Sequence, residues 1–133
     1  MKAAVLDSYA IIAYLDKEQG YEEVAKLFEE CVAKDREVFT CVVNWGEVIY
    51  HALRSGGENM ARLAEDAMRA LPIQIVDANK DLTLQAAHLK AFNKMSYADC
   101  YAAAFALKRK CELATGDKEF KQVEHSVKIR WLK

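Results

Sequence analysis

Lys2-Ala-Ala-Val-Leu-Asp7-Ser8 is an apolar run that stops on an aspartate. A continuous apolar segment of strand length suits a strand buried on both faces, as at the centre of a parallel sheet. Asp7 then stands at the strand's C-terminal end, the edge at which open α/β sheets place their ligands. It is also the only formal charge between Lys2 and Asp16.

Outward from that strand the chain alternates between helical and extended patterns. Ser8–Leu15 reads as a short helix broken by Gly20, and Tyr21, Val24, Ala25, Phe28, Cys31 and Val32 fall on one face of a second. Residues 37–41 are strand-like, rich in β-branched and aromatic types. A helix from about Asn44 to Arg54 is ended by Gly56-Gly57, and another from Met60 to Leu71 by Pro72. Ile73–Val76 reads as a third strand, Leu82, Ala86 and Leu89 as one face of a helix, and Ser96 opens a longer helix to about Lys110. Glu112–Thr115 and, more weakly, Val127–Ile129 complete the set. This order predicts an α/β sandwich around a mostly parallel sheet of four to five strands. Right-handed crossovers put the C-terminal ends of those strands on one edge.

The bulk properties agree with one globular domain over residues 1–133: 53% apolar, 29% charged, no Pro/Ser/Gly-rich linker and no repeat. A net charge of −1 announces no basic field for nucleic acid or anionic membrane. No apolar run approaches a bilayer span, and the N-terminus does not resemble a signal peptide. Cys31, Cys41, Cys100 and Cys111 lack C-x-x-C spacing, which favours buried reduced thiols in a cytoplasmic protein over a zinc site. His51, His88 and His125 are scattered and read as ordinary helix or loop residues.

Three further acids resemble Asp7 in position. Glu47 is the only formal charge between Glu37 and Arg54, Asp99 the only one between Lys94 and Lys108, and Asp117 closes the fourth strand through Thr115-Gly-Asp117. Taken singly, each has a capping explanation. Asn44…Glu47 and Ser96…Asp99 have capping-box spacing, and Asp7 and Asp117 can cap the turns they begin. Taken together they are harder to dismiss, because isolated acids in apolar segments are rarely buried without a partner. The fold above brings all four to one edge, where like charges demand a cation. An all-oxygen set suits Mg²⁺ or Mn²⁺, which activates water and so removes the need for a catalytic His or Ser.

Val-Leu-Asp7-Ser8, Asn44-Trp-Gly-Glu47-Val, Ser96-Tyr-Ala-Asp99-Cys-Tyr-Ala-Ala-Ala and Ala-Thr-Gly-Asp117-Lys-Glu-Phe resemble, in order and spacing, the successive motifs of PIN-domain proteins. Size and the lack of extensions look most like the VapC toxins of toxin–antitoxin pairs. The resemblance implies a three-layer α/β/α PIN-like fold and a Mg²⁺- or Mn²⁺-dependent endoribonuclease whose metal is held by Asp7, Glu47, Asp99 and Asp117. It also implies a homodimer, and a small VapB-like antitoxin whose tail fills the acidic groove. Ser8 and Thr115 match positions where the family carries a hydroxyl near the site. Tyr9 departs from the pattern, since a small residue is more usual there, and it is expected to narrow the mouth of the site.

Among the basic residues, Lys108-Arg109-Lys110 lies roughly 16 Å along its helix from Asp99 and is better placed to complement the helix dipole. Arg54, two turns from Glu47, and Lys118 and Lys121, which flank Asp117, are the candidates for phosphate contact. Trp45 and Tyr97 stand beside the acids as candidates for base stacking or for core packing. Competing functions fare less well. A receiver wants a paired acid and a lysine after the last strand, a haloacid-dehalogenase-type phosphatase wants an acid at position 9, and no P-loop occurs. A PIN-like nuclease of RNA processing and a non-catalytic PIN-fold binding module are the remaining alternatives.

Overall fold

The opening run forms β1 (Ala3–Leu6), and its burial explains its composition: Ala4, Val5 and Leu6 are fully buried. The structure, a computed structural model, describes residues 3–133; Met1 and Lys2, which the 1–133 domain reading included, lie outside the described residues. The elements continue as α1 (Ser8–Leu15), α2 (Tyr21–Ala33), β2 (Glu37–Cys41), α3 (Val42–Ala70) and β3 (Gln74–Val76). After them come α4 (Lys80–Phe92), α5 (Tyr97–Arg109), β4 (Glu112–Thr115), a 3-10 turn (Lys118–Val123) and β5 (Ile129–Trp131).

The five strands form one sheet in the order β3-β2-β1-β4-β5, and every neighbouring pair is parallel. β1 is therefore central, as its unbroken apolar run predicts. Alternate side chains of β1 feed two cores, which makes the molecule three-layered. Val5 joins Phe39 under α4 and α5, whereas Ala4 and Leu6 join Val38 under α1, α2 and α3. α5 is buried over Asp99–Ala106, in keeping with the nearly all-round apolar pattern of that stretch. Among the described residues no helix is long and apolar enough to cross a membrane. All four cysteines are buried and free, and burial is the main cause raising each thiol, Cys111 to about 11.

Three local expectations need correction. The fifth strand is Ile129–Trp131 rather than Val127–Ile129; Val127 is instead a buried core residue below the strand. Asn44 does not cap a helix, because α3 starts at Val42 directly from β2, and Asn44 sits fully buried in its first turn. The two helices expected on either side of Gly56-Gly57 run on as one element, interrupted at Gly57 alone (φ 73, ψ −163). That backbone conformation is open to glycine and strained for any other residue.

The strand order reverses direction beside β1. From β1 the chain moves to β2 and β3 on one side, then returns through α4 and α5 to lay β4 on the other. A crevice outside the C-terminal ends of β1 and β4 is the place such a reversal creates for a ligand.

Candidate functional site

Leu6 pairs with Ala114 across that crevice, so the next residues along, Asp7 and Thr115, lie side by side. Thr115 Oγ1 donates to Asp7 Oδ2 at 2.5 Å and also accepts from the Asp117 amide at 3.0 Å. One hydroxyl thus fixes two of the acids. The other Asp7 oxygen accepts from the Ala10 amide at 2.9 Å, making Asp7 the N-cap of α1. Glu47 is held by Ser8, whose Oγ donates to its Oε1 at 2.8 Å. Asn44 Nδ2 donates to the same oxygen at 3.4 Å and to the Ala98 carbonyl at 3.1 Å, tying the start of α3 to that of α5. Ser96 caps α5 by accepting from the Asp99 amide, and Asp117 caps the 3-10 turn by accepting from Glu119. The capping roles of Asp7, Asp117 and Ser96 are real. They occupy only some of the oxygens, so they do not compete with a second role.

The acids converge on a cleft of about 350 Å³ lined by Ser8, Tyr9, Glu47, Asp99, Asp117 and Glu119, with Ile12, Glu18 and Ser96 at its sides. Asp7 is not in the lining; it lies beneath, 1% exposed. Asp99, Asp117 and Glu119 each offer an oxygen within 4.8 Å of the others. Burial, then the charges of Asp117 and Glu47, push the Asp99 carboxyl up to about 7 against the pull of Ser96. Burial likewise drives Asp7 up to about 8, with Asp99 and Asp117 adding to it and the hydrogen bonds from Thr115 and Ala10 opposing. Among the described residues no Lys, Arg or His lines the cleft. Negative charge is packed here with no built-in cation, which is the electrostatic condition a divalent ion relieves.

The model of the PIN domain family matches residues 4–126. The chain belongs to the PIN domain family. No curated protein matches it. Among solved structures this PIN domain is similar to a chain of VapBC2 from Rickettsia felis bound to a DNA fragment from its promoter (TM-score 0.80, 15% identity, 98% of this chain and 99% of that one). It is similar also to one of the DNA-bound VapBC from Salmonella typhimurium (0.75, 17%, 98% of each). A third is VapC20 of Mycobacterium tuberculosis, a sarcin-ricin loop cleaving toxin (0.68, 16%, 90% and 94%). At these identities the likeness establishes the fold.

Within this PIN domain the residues singled out from sequence divide sharply. Glu47, Asp99 and Asp117 face one cleft, Asp7 lies directly under it, and Ser8 and Thr115 hold two of the carboxylates. Arg54, Lys118 and Lys121 are exposed and outside the lining. Arg109 is remote from the acids, over the Phe39 ring at 4.7 Å and 3.9 Å from Glu37. Trp45 packs against the α1–α3 core, and Tyr97 meets Tyr101 at a tilt of 59° with ring centroids 5.1 Å apart. Glu119 and Glu18 were not singled out. Glu119 stands two residues past Asp117, where a tight turn brings it back toward the cleft; only knowledge of the turn reveals that. Glu18 follows Lys17, whose left-handed backbone (φ 52) ends the first helical segment, and nothing in its local pattern marks it.

Proposed function

We propose that this PIN domain, acting as one unit over residues 1–133, is a Mg²⁺- or Mn²⁺-dependent endoribonuclease and the toxin of a type II toxin–antitoxin pair. The observation that carries the reading is the convergence of Glu47, Asp99, Asp117 and Glu119 on one cleft, above buried Asp7, without a compensating cation. The donors fit a hard divalent ion: all are carboxylate oxygens, three lie within mutual reach, and burial together with the Asp117 charge pushes the Asp99 carboxyl up to about 7. Asp7, Glu47, Asp99 and Asp117 are the residues we assign to the ion, and the geometry adds Glu119 as a further oxygen donor. When bound, such an ion supplies a Lewis acid and lowers the pKa of coordinated water.

The chain's own residues supply placement. Thr115 holds the Asp7 carboxylate and the Asp117 backbone from one hydroxyl, so drift of β1 away from β4 would cost Asp7 its partner. Ser8 orients Glu47, and Ser96 sets the first turn of α5 that presents Asp99. The RNA assignment draws on the PIN family and on the similar toxin described as cleaving the sarcin-ricin loop.

An antitoxin partner is supported by the similar VapBC structures and by the surface next to the cleft. An apolar groove of about 190 Å³ between α1 and the two arms of α3, lined by Leu15, Val48, Met60 and Leu63 among others, shares Ile12 with the acidic cleft. A VapB-like segment with an apolar face and a basic tail would match both. The family resemblance extends the proposal to a homodimer working in the cytoplasm.

Cleavage of an RNA panel by purified protein is expected with Mg²⁺ or Mn²⁺, with none in EDTA and none for Asp7→Asn or Asp99→Asn. Thr115→Val is expected to keep the fold but lose about 10–100-fold in activity or metal affinity, as for other groups that orient a ligand. Undiminished cleavage in EDTA would refute the metal mechanism.

A further inference from the structure

The acidic cleft has an unusual wall. Tyr9, the second residue of α1, is 42% exposed and is the only aromatic side chain in the lining. Its ring rests on Gly116, so closely that a Cβ at 116 would lie 2.2 Å from Tyr9 Cε1 and 2.8 Å from its hydroxyl oxygen. Gly116 shows no left-handed backbone that would call for glycine; what the position requires is the absence of a side chain. Two segments at opposite ends of the chain are therefore matched: an aromatic at 9 is admitted by a glycine at 116. Gly116 lies between Thr115 and Asp117, so the ring rests on the turn that joins two residues of the site, and it shares the cleft lining with Asp117.

A polyanion entering this cleft meets carboxylates and no cationic side chain. Lys118, Lys121 and Arg54 lie outside the lining and contribute to the approach, not to the grip around the cut. Beyond the proposed divalent ion, local affinity has to come from uncharged contacts, and an aromatic face is the contact every nucleobase accepts. We infer that Tyr9 is a nucleobase platform: its ring, seated on Gly116, stacks a base adjacent to the scissile phosphate and so holds that phosphate at the acids. This inference rests on the ribonuclease reading. The platform role predicts that the ring matters and the hydroxyl does not.

The test compares wild type, Tyr9→Phe and Tyr9→Leu on an oligoribonucleotide whose Mn²⁺-dependent cut has been mapped, intact or with a single base removed on either side of the cut. For wild type and Tyr9→Phe, removing one of those bases is expected to lower kcat/KM by about 5- to 150-fold, the span expected for one stacked base, with most of the loss in KM. Tyr9→Leu is expected to cut the intact RNA no better than the abasic RNA. Gly116→Ala, which dislodges the ring while leaving it in the chain, should show the same indifference and serves as the test should Tyr9→Leu not fold. A Tyr9→Leu or Gly116→Ala protein that retains the wild-type loss on base removal overturns the platform and leaves the nuclease standing. So does a wild type indifferent to base removal on both sides. A wild type that cuts no RNA with either metal overturns the nuclease reading and the platform with it.

Discussion

Without a cation the Asp7 carboxyl is pushed up to about 8 and that of Asp99 to about 7, in both cases chiefly by burial. Both lie above the ordinary value of 3.8, so the folded protein binds protons that the unfolded chain releases. Stability from these groups is fully present below about pH 4 and is lost as the pH rises through 7 and 8. The melting temperature in EDTA is expected to fall from pH 5.5 to 9. Added Mn²⁺ should recover it most at the alkaline end, where the carboxylates are already ionised. Asp7→Asn should flatten the profile, and a rise in melting temperature with pH would show that other groups dominate. Asp7, Glu47 and Asp99 were legible because each stands alone in an apolar segment, a pattern that survives without knowing the fold. Asp117, which Lys118 and Glu119 follow, was legible from its place just past the fourth strand. Asn44 was legible only in type. Its spacing to Glu47 suggested a cap, whereas its amide bridges Glu47 and the Ala98 carbonyl, a contact between residues 54 apart that no local pattern encodes.

Helix α3 is the element whose shape depends most on one residue. Its N-terminal arm carries Glu47 to the cleft, and its C-terminal arm turns away at Gly57 to close the apolar groove beside α1. A Cβ at Gly57 would meet no neighbouring atom within 4 Å, so Gly57→Ala should be penalised through its backbone alone, by about 1–3 kcal/mol. Gly46 in the same helix also has free space around it and no positive φ, so Gly46→Ala should stabilise by about 0.5–1 kcal/mol. Urea denaturation of the two variants checks both signs, and equal effects would mean the kink is not strained. The Gly56-Gly57 pair was visible as a break, but which glycine turns the chain was not. β5 slipped by two residues for a related reason. Val127 has the composition of a strand residue yet packs into the core, and pairing with β4 starts in earnest at Ile129.

At the scale of the molecule, the alternation of strands and helices was enough to predict a parallel sheet with one functional edge, since the right-handed crossover leaves little choice. Strand order was beyond reach, because nothing local says that β4 returns to the far side of β1. Net charge was equally silent: a total of −1 conceals a cleft whose charged lining is entirely acidic. A partner for that cleft must bring positive charge, and the adjoining groove asks for an apolar segment. Expression of the wild-type chain alone is therefore expected to slow growth, expression of Asp99→Asn is not, and co-expression of a small basic-tailed partner should restore it. Equal growth inhibition by wild type and Asp99→Asn would separate toxicity from the cleft.

The bond between Thr115 and Asp7 joins residues 108 apart. A nascent chain that has emerged only through α4 can pair β1 with β2 and β3, but it leaves the other edge of β1 open and Asp7 without its hydroxyl partner. The cleft comes together only when β4 arrives, and the turn carrying Asp117 and Glu119 comes later still. A fragment that ends before β4 therefore has most of the scaffold, β1, β2 and β3 with their helices, and no assembled cleft.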